Sequence, residues 1–228
     1  MVSSPDADQV SVTSPTEHEQ PDVCEQSRRF HGSSKRNPQV ALPIFIHSNW
    51  RVSHTWFWLK FREHQSTLCF YEPFHERLQT LTRSEACSLG PNSWNSGHPP
   101  TESYFREFVP LIRKAGGVRL FVPEISYGWF LPADGLTGDL RAEEIKYLAL
   151  LIRHARRLRR IPVFGFARSL GRLAAIKNRF PGVHIFQYRN LWTQWVSLID
   201  QRQNGNKYIF IEYSTSWRTR MTLTYRAL

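Results

Sequence analysis

Short apolar runs of strand length, separated by amphipathic stretches of helix length, constrain this chain more than any other feature. The runs cover residues 42–47, 67–71, 117–123, 161–166 and 183–188. Between them the sequence predicts helices over 55–63, 102–114, 140–159, 169–179 and 192–201. Strands that are apolar throughout are buried on both faces, and strands that alternate with helices pair in parallel. The expectation is an α/β fold, a central parallel sheet flanked by helices in three layers. Residues 84–100, rich in Ser, Asn, Gly and Pro, read as a loop that could serve as a lid or substrate loop.

Composition limits the rest. Residues 1–40 are rich in Ser, Pro, Gln and acidic side chains and lack apolar periodicity, so they read as a disordered tail. The α/β domain is expected over 41–213, with a further candidate strand at 208–212 and an irregular tail over 214–228. The chain carries a net charge of +11, and because residues 1–40 are net acidic the remainder is more basic still. Such a domain attracts an anion: nucleic acid, a membrane surface, an acidic polysaccharide or a phosphorylated ligand. The absence of a membrane-length apolar run and of a secretion signal points to a cytoplasmic protein. Cys24, Cys69 and Cys87 are odd in number and scattered, which predicts free thiols rather than a disulfide framework or a metal site.

Two strand-to-loop-to-helix junctions carry groups suited to phosphate. The first is Trp50-Arg51-Val52-Ser53-His54-Thr55-Trp56; the second is Arg189-Asn190 with Ser197 eight positions after the arginine. A helix that starts after a loop leaves its first amides unpaired, and with a basic or hydroxyl side chain nearby they favour an anion. No Gly-x-x-x-x-Gly-Lys-Ser/Thr sequence is present, so the ATPase and GTPase pattern is excluded. Phe70-Tyr71-Glu72-Pro73 closes the second run, and Phe164-Gly165-Phe166-Ala167-Arg168-Ser169 closes the fourth. The basic helix end Arg153, Arg156, Arg157, Arg159, Arg160 reads as a solvated terminus that complements the helix dipole. Nucleic acid is disfavoured as a partner, because that cluster has no interleaved aromatics and no known binding module.

Taken together, these segments resemble the sulfotransferase superfamily, closest in motif style to the carbohydrate O-sulfotransferases, over roughly residues 42–203. Arg51, Thr55 and Trp56 stand where that family's 5′-phosphosulfate loop has a basic residue, a hydroxyl and an aromatic. Ser53 replaces the usual glycine, and Val52 and His54 replace small or hydroxyl residues. Arg189, Asn190 and Ser197 match the family's 3′-phosphate site in type and spacing, with Leu191 in place of a small residue or proline. The resemblance implies a P-loop-like fold that binds 3′-phosphoadenosine 5′-phosphosulfate as co-substrate. It also implies transfer of a sulfonate to a hydroxyl acceptor, expected to be carbohydrate. Arg51, Ser53, His54, Thr55, Trp56, Arg189 and Ser197 would bind the nucleotide, and no metal is expected. Glu72 would be the catalytic base, with His75 and Glu76 in reserve, and Arg168 would stabilise the transferring group or an anionic acceptor. The alternative is a catalytically inactive relative, shortened at its C-terminus, that binds a nucleotide or polyanion.

Overall fold

The computed structural model describes residues 41–94, 98, 101–126, 132 and 134–205. The tail expected over 1–40 and the candidate strand at 208–212 lie outside the described residues. Four strands, β1 (Ile44–His47), β2 (Thr67–Tyr71), β3 (Ile161–Phe166) and β4 (Val183–Phe186), form one sheet in the order β2-β3-β1-β4. Every pairing is parallel, with Phe45 opposite Phe164 and His184, and Phe70 opposite Phe164. The expected α/β architecture with a parallel central sheet is therefore the observed one.

Strand pleating sends alternate side chains to opposite faces. On one face Phe70, Phe164, Phe45 and His184 form a stacked row across all four strands, with centroid separations of 5.6, 5.0 and 4.6 Å. The other face receives helix α1 (His54–Arg62), whose Trp58 lies edge-on to Tyr71 at 4.9 Å. Gly165 permits this approach, since a Cβ there would lie 2.7 Å from Trp58 Cδ1 and 3.0 Å from His54 Nε2. Helix α2 (Arg83–Ser88) and the one-turn helix α3 (Pro123–Ser126) follow β2. Helix α4 (Ala142–Arg157) leads into β3, α5 (Leu173–Arg179) into β4, and α6 (Leu191–Gln203) follows β4. Buried Arg172 ties α3 to α4: it bonds the Ile125 carbonyl at 2.9 Å, pairs with buried Glu144, and stacks over Phe74 at 4.5 Å.

Three expectations are corrected. Residues 117–123 form no strand. Gly116 and Gly117 turn the chain at φ of 86° and 74°, Val118 makes one antiparallel bridge to Ile112, and the run then enters α3. Val118 and Phe121 are still core residues, so the apolar signal was burial without a ladder. The helix expected over 102–114 reduces to a 3-10 segment at Arg106–Leu111, which contains Pro110. Proline removes an amide donor and disfavours a longer α-helix. The loop expected over 84–100 begins as helix α2, started by a capping box in which the Glu85 amide donates to Thr82 Oγ1 and the Thr82 amide donates to Glu85 Oε2. Within the same segment, residues Pro91–Trp94 form a 3-10 turn.

Candidate functional site

In a parallel sheet all strands empty at one edge, where ligands of open α/β sheets bind. Here that edge gathers the loop after β1 (Ser48 to Ser53), Glu72 after β2, Ala167-Arg168-Ser169 after β3, and Gln187 to Asn190 after β4. Of the five non-glycine residues with positive φ among the described residues, three belong to it: Arg51 at 61°, Ser53 at 62° and Glu72 at 44°. Each such conformation costs on the order of 1–3 kcal/mol and concentrates at functional sites. Ser53 thus adopts the left-handed backbone for which a glycine is usual, despite its side chain.

The two phosphate-type junctions meet. Arg51 Nε donates to Ser197 Oγ at 2.9 Å across 146 positions of sequence, and Arg189 donates to the Arg51 carbonyl at 3.4 Å. Gln187 Nε2 donates to the Val52 carbonyl at 2.8 Å and Gln194 Nε2 to the Trp50 carbonyl at 2.7 Å, so β4 and α6 hold the first loop through its backbone. Desolvation pushes the Arg51 pKa down; Asp200 opposes that shift and neighbouring Arg189 adds to it. An anion bound between the two guanidinium groups would relieve that stress.

The helix starts differ. Helix α1 has Ser53 at its N-cap with no side-chain bond to the first-turn amides and no acidic residue in that turn. At α6, Asn190 Oδ1 accepts from the Trp192 and Thr193 amides at 3.0 and 3.3 Å. The expectation of two open helix starts is thus corrected to one: Asn190 is a cap, and the second junction contributes Arg189 and Ser197.

The remaining candidates separate. Thr55 is buried, with Oγ1 2.8 Å from the Tyr71 hydroxyl and 3.5 Å from His98 Nε2, and His98 Nδ1 is 2.7 Å from the Tyr104 hydroxyl. His54 is buried against Gly165, and desolvation lowers its pKa to about 3, so it is neutral packing. Trp56 points outward, half exposed, with Lys60 over its ring at 5.6 Å. The structure therefore brings Arg51, Ser53, Thr55, Arg189 and Ser197 to the edge and turns His54 and Trp56 away from it.

Glu72 is buried, and its Oε2 accepts from Arg168 and from the Ala167 amide, each at 3.2 Å. Arg168 also reaches Glu76 at 3.5 Å and lies 5.8 Å from the Trp50 ring centroid, linking the exits of β2 and β3 to the first loop. The His75 pKa falls to about 3 through burial and then the Arg168 charge.

Motif reading did not find the polar chain beneath this edge. His184 Nε2 lies 3.1 Å from the Phe180 carbonyl, His47 Nε2 lies 3.1 Å from His184 Nδ1, and His47 Nδ1 lies 2.8 Å from Ser169 Oγ. A carbonyl can only accept. His184 therefore donates from Nε2 and accepts at Nδ1, His47 does the same one step on, and the Ser169 hydroxyl donates to His47. Burial, and then His184, lower the His47 pKa to about 3, which keeps the chain neutral. His98, Tyr104, Gln187 and Gln194 were missed as well, because single polar side chains that meet only through the fold belong to no local motif.

Cys69 is a buried free thiol, whereas Cys87 is disulfide-bonded, which corrects the expectation of three free thiols. Among the described residues no group of His, Cys, Asp and Glu could hold a metal ion, and no helix is long and apolar enough to cross a membrane. No family model matches the chain, and comparison with curated proteins and with solved structures gives no match.

Proposed function

We propose that the carboxyl edge of the sheet binds 3′-phosphoadenosine 5′-phosphosulfate and transfers its sulfonate to a hydroxyl of a carbohydrate acceptor. One observation carries this reading: the Arg51–Ser197 contact of 2.9 Å unites two motifs that the sequence linked only by family resemblance. In the proposed arrangement Arg189 and Ser197 hold the 3′-phosphate, and the α1 amides with Thr55 hold the 5′ phosphosulfate. Arg51 lies between the two. The sulfur–oxygen bond to the 5′-phosphate breaks as one forms to the acceptor oxygen. The acceptor proton passes to Glu72, and 3′-phosphoadenosine 5′-phosphate leaves. Arg168 and the α1 amides supply preorganised positive field where negative charge develops.

A second reading is favoured by Glu72 itself, whose Oε2 is already engaged by Arg168 and the Ala167 amide. In that reading the edge binds the nucleotide without turnover. Calorimetric titration with 3′-phosphoadenosine 5′-phosphate, with AMP as control, tests the binding that both readings share. Heat that requires the 3′-phosphate and disappears in Arg189→Ala supports it, and no heat from folded protein refutes it. Turnover of 3′-phosphoadenosine 5′-phosphosulfate by wild type that is lost in Glu72→Gln then separates the two.

A further inference from the structure

The edge opposite the candidate site carries a cluster of cations that have no ion-pair partner among the described residues. Helices that connect parallel strands run antiparallel to them, so their C-termini collect at the amino edge of the sheet. Helix α4 joins β2 to β3 and α5 joins β3 to β4, two crossings in the same direction through the order β2-β3-β1-β4. Right-handed crossovers therefore place both helices on one face, with their basic ends at the same rim. Arg153, Arg156, Arg157, Arg159, Lys177 and Arg179 are all exposed, and none forms an ion pair with a described residue. At the end of α1, by contrast, Lys60 is paired with Glu63 at 3.0 Å and Arg62 with Glu107 at 2.7 Å, so this cationic cluster belongs to the ends of α4 and α5.

Three aliphatic side chains sit along this rim. Leu158 precedes β3, Leu42 leads into β1 and Val183 opens β4, and they are 51%, 54% and 49% exposed. These three strands are neighbours in the sheet, so the three residues lie along its amino rim, beside the basic helix ends. Phosphate-bearing polymers and acidic glycans would use the arginines but have no use for a row of exposed aliphatics. An anionic bilayer uses both: its headgroups attract the cations, and its headgroup–acyl boundary accepts shallow apolar side chains. We propose that the amino edge of the sheet rests on an anionic lipid surface, with Leu42, Leu158 and Val183 at the boundary. The candidate site, one strand length away at about 13–20 Å, then faces away from the membrane. This docking does not depend on the sulfotransferase reading.

The test is co-sedimentation of the full chain with phosphatidylcholine vesicles, with and without phosphatidylserine. Wild type binds only the anionic vesicles and releases them at high salt. Each Lys or Arg near such a surface contributes about five-fold in affinity, so Arg153→Glu/Arg156→Glu/Arg157→Glu lowers it by about 100-fold or more. A second variant on another helix, Lys177→Glu/Arg179→Glu, weakens binding by at least about ten-fold and keeps the test open should the first not fold. Circular dichroism checks both folds. Absent vesicle binding, binding that ignores phosphatidylserine, or binding unaffected in a folded variant overturns the proposal. Parallel anisotropy with single-stranded RNA and duplex DNA covers the main competitor. Oligonucleotide binding that the variants abolish, without vesicle binding, assigns the edge to nucleic acid and overturns the membrane assignment.

Discussion

Substituting Gly165 tests how α1 is held over the sheet. An alanine Cβ there meets Trp58 Cδ1 at 2.7 Å and His54 Nε2 at 3.0 Å, against an ordinary carbon contact of about 3.5–4.0 Å. Trp58 is fully buried and Tyr71 lies against it, so neither ring has free volume to retreat into. Helix α1 must therefore shift away from β3. Overpacking of this kind costs about 1–3 kcal/mol, which lowers the melting temperature by roughly 2–4 °C per kcal/mol for a domain of this size. The shift also moves the α1 start, which is the proposed seat of the 5′ phosphosulfate. Gly165→Ala should therefore weaken nucleotide binding as well as stability. Urea unfolding followed by tryptophan fluorescence gives the first quantity and calorimetry the second. Gly90→Ala is the control, since its nearest neighbour atoms are 3.9 Å away and it should change stability by less than about 0.5 kcal/mol. If Gly165→Ala proves as stable as the control, the close packing of α1 on β3 is wrong.

Other outcomes follow from single contacts. Glu144→Gln strips the buried Arg172 of its charge partner and should cost about 3–5 kcal/mol in urea unfolding, whereas Glu144→Leu with Arg172→Met should cost much less. Asn190→Ala removes the α6 cap and should cost about 1 kcal/mol while leaving nucleotide affinity nearly intact, unlike Arg189→Ala. The folded-state pKa values of His47 and His54 lie near 3, below their ordinary 6.5, so the unfolded chain binds more protons between those values. That contribution to stability is complete above about pH 6.5 and declines as pH falls toward 3. His54→Gln should flatten the slope of unfolding free energy against pH across this window, and an unchanged slope would show that His54 titrates normally.

The sequence showed β2 and β3 to the residue, because each is a short, mainly apolar run, the pattern of a parallel strand buried on both faces. It misplaced 117–123 because a buried loop leaves the same apolar trace as a strand. There the adjacent Gly116 and Gly117 were the signal to weigh, since two left-handed residues suit a turn. Thr82 and Glu85 spelled a capping box at the start of what was read as loop. At the candidate site, residue types and spacing singled out Arg51, Arg189 and Ser197, which the fold brings into contact. The left-handed backbone at Ser53 and the Asn190 cap depend on how loops close, which spacing does not encode. The Ser169–His47–His184 chain joins three strand regions and had no local signature.

The central claim is that Arg51 and Ser197, in contact at 2.9 Å, join the two phosphate sites into one nucleotide cradle. A double-mutant cycle on binding of 3′-phosphoadenosine 5′-phosphate, with Arg51→Ala, Ser197→Ala and both together, tests it most directly. The account predicts measurable binding by wild type and a loss of about 1.5–3 kcal/mol for Arg51→Ala, as for hydrogen bonds to charged groups. It also predicts a double mutant that loses clearly less than the sum of the single losses. Additive losses would show that the Arg51–Ser197 contact plays no part in holding the ligand, and no binding by folded wild type would contradict the account altogether.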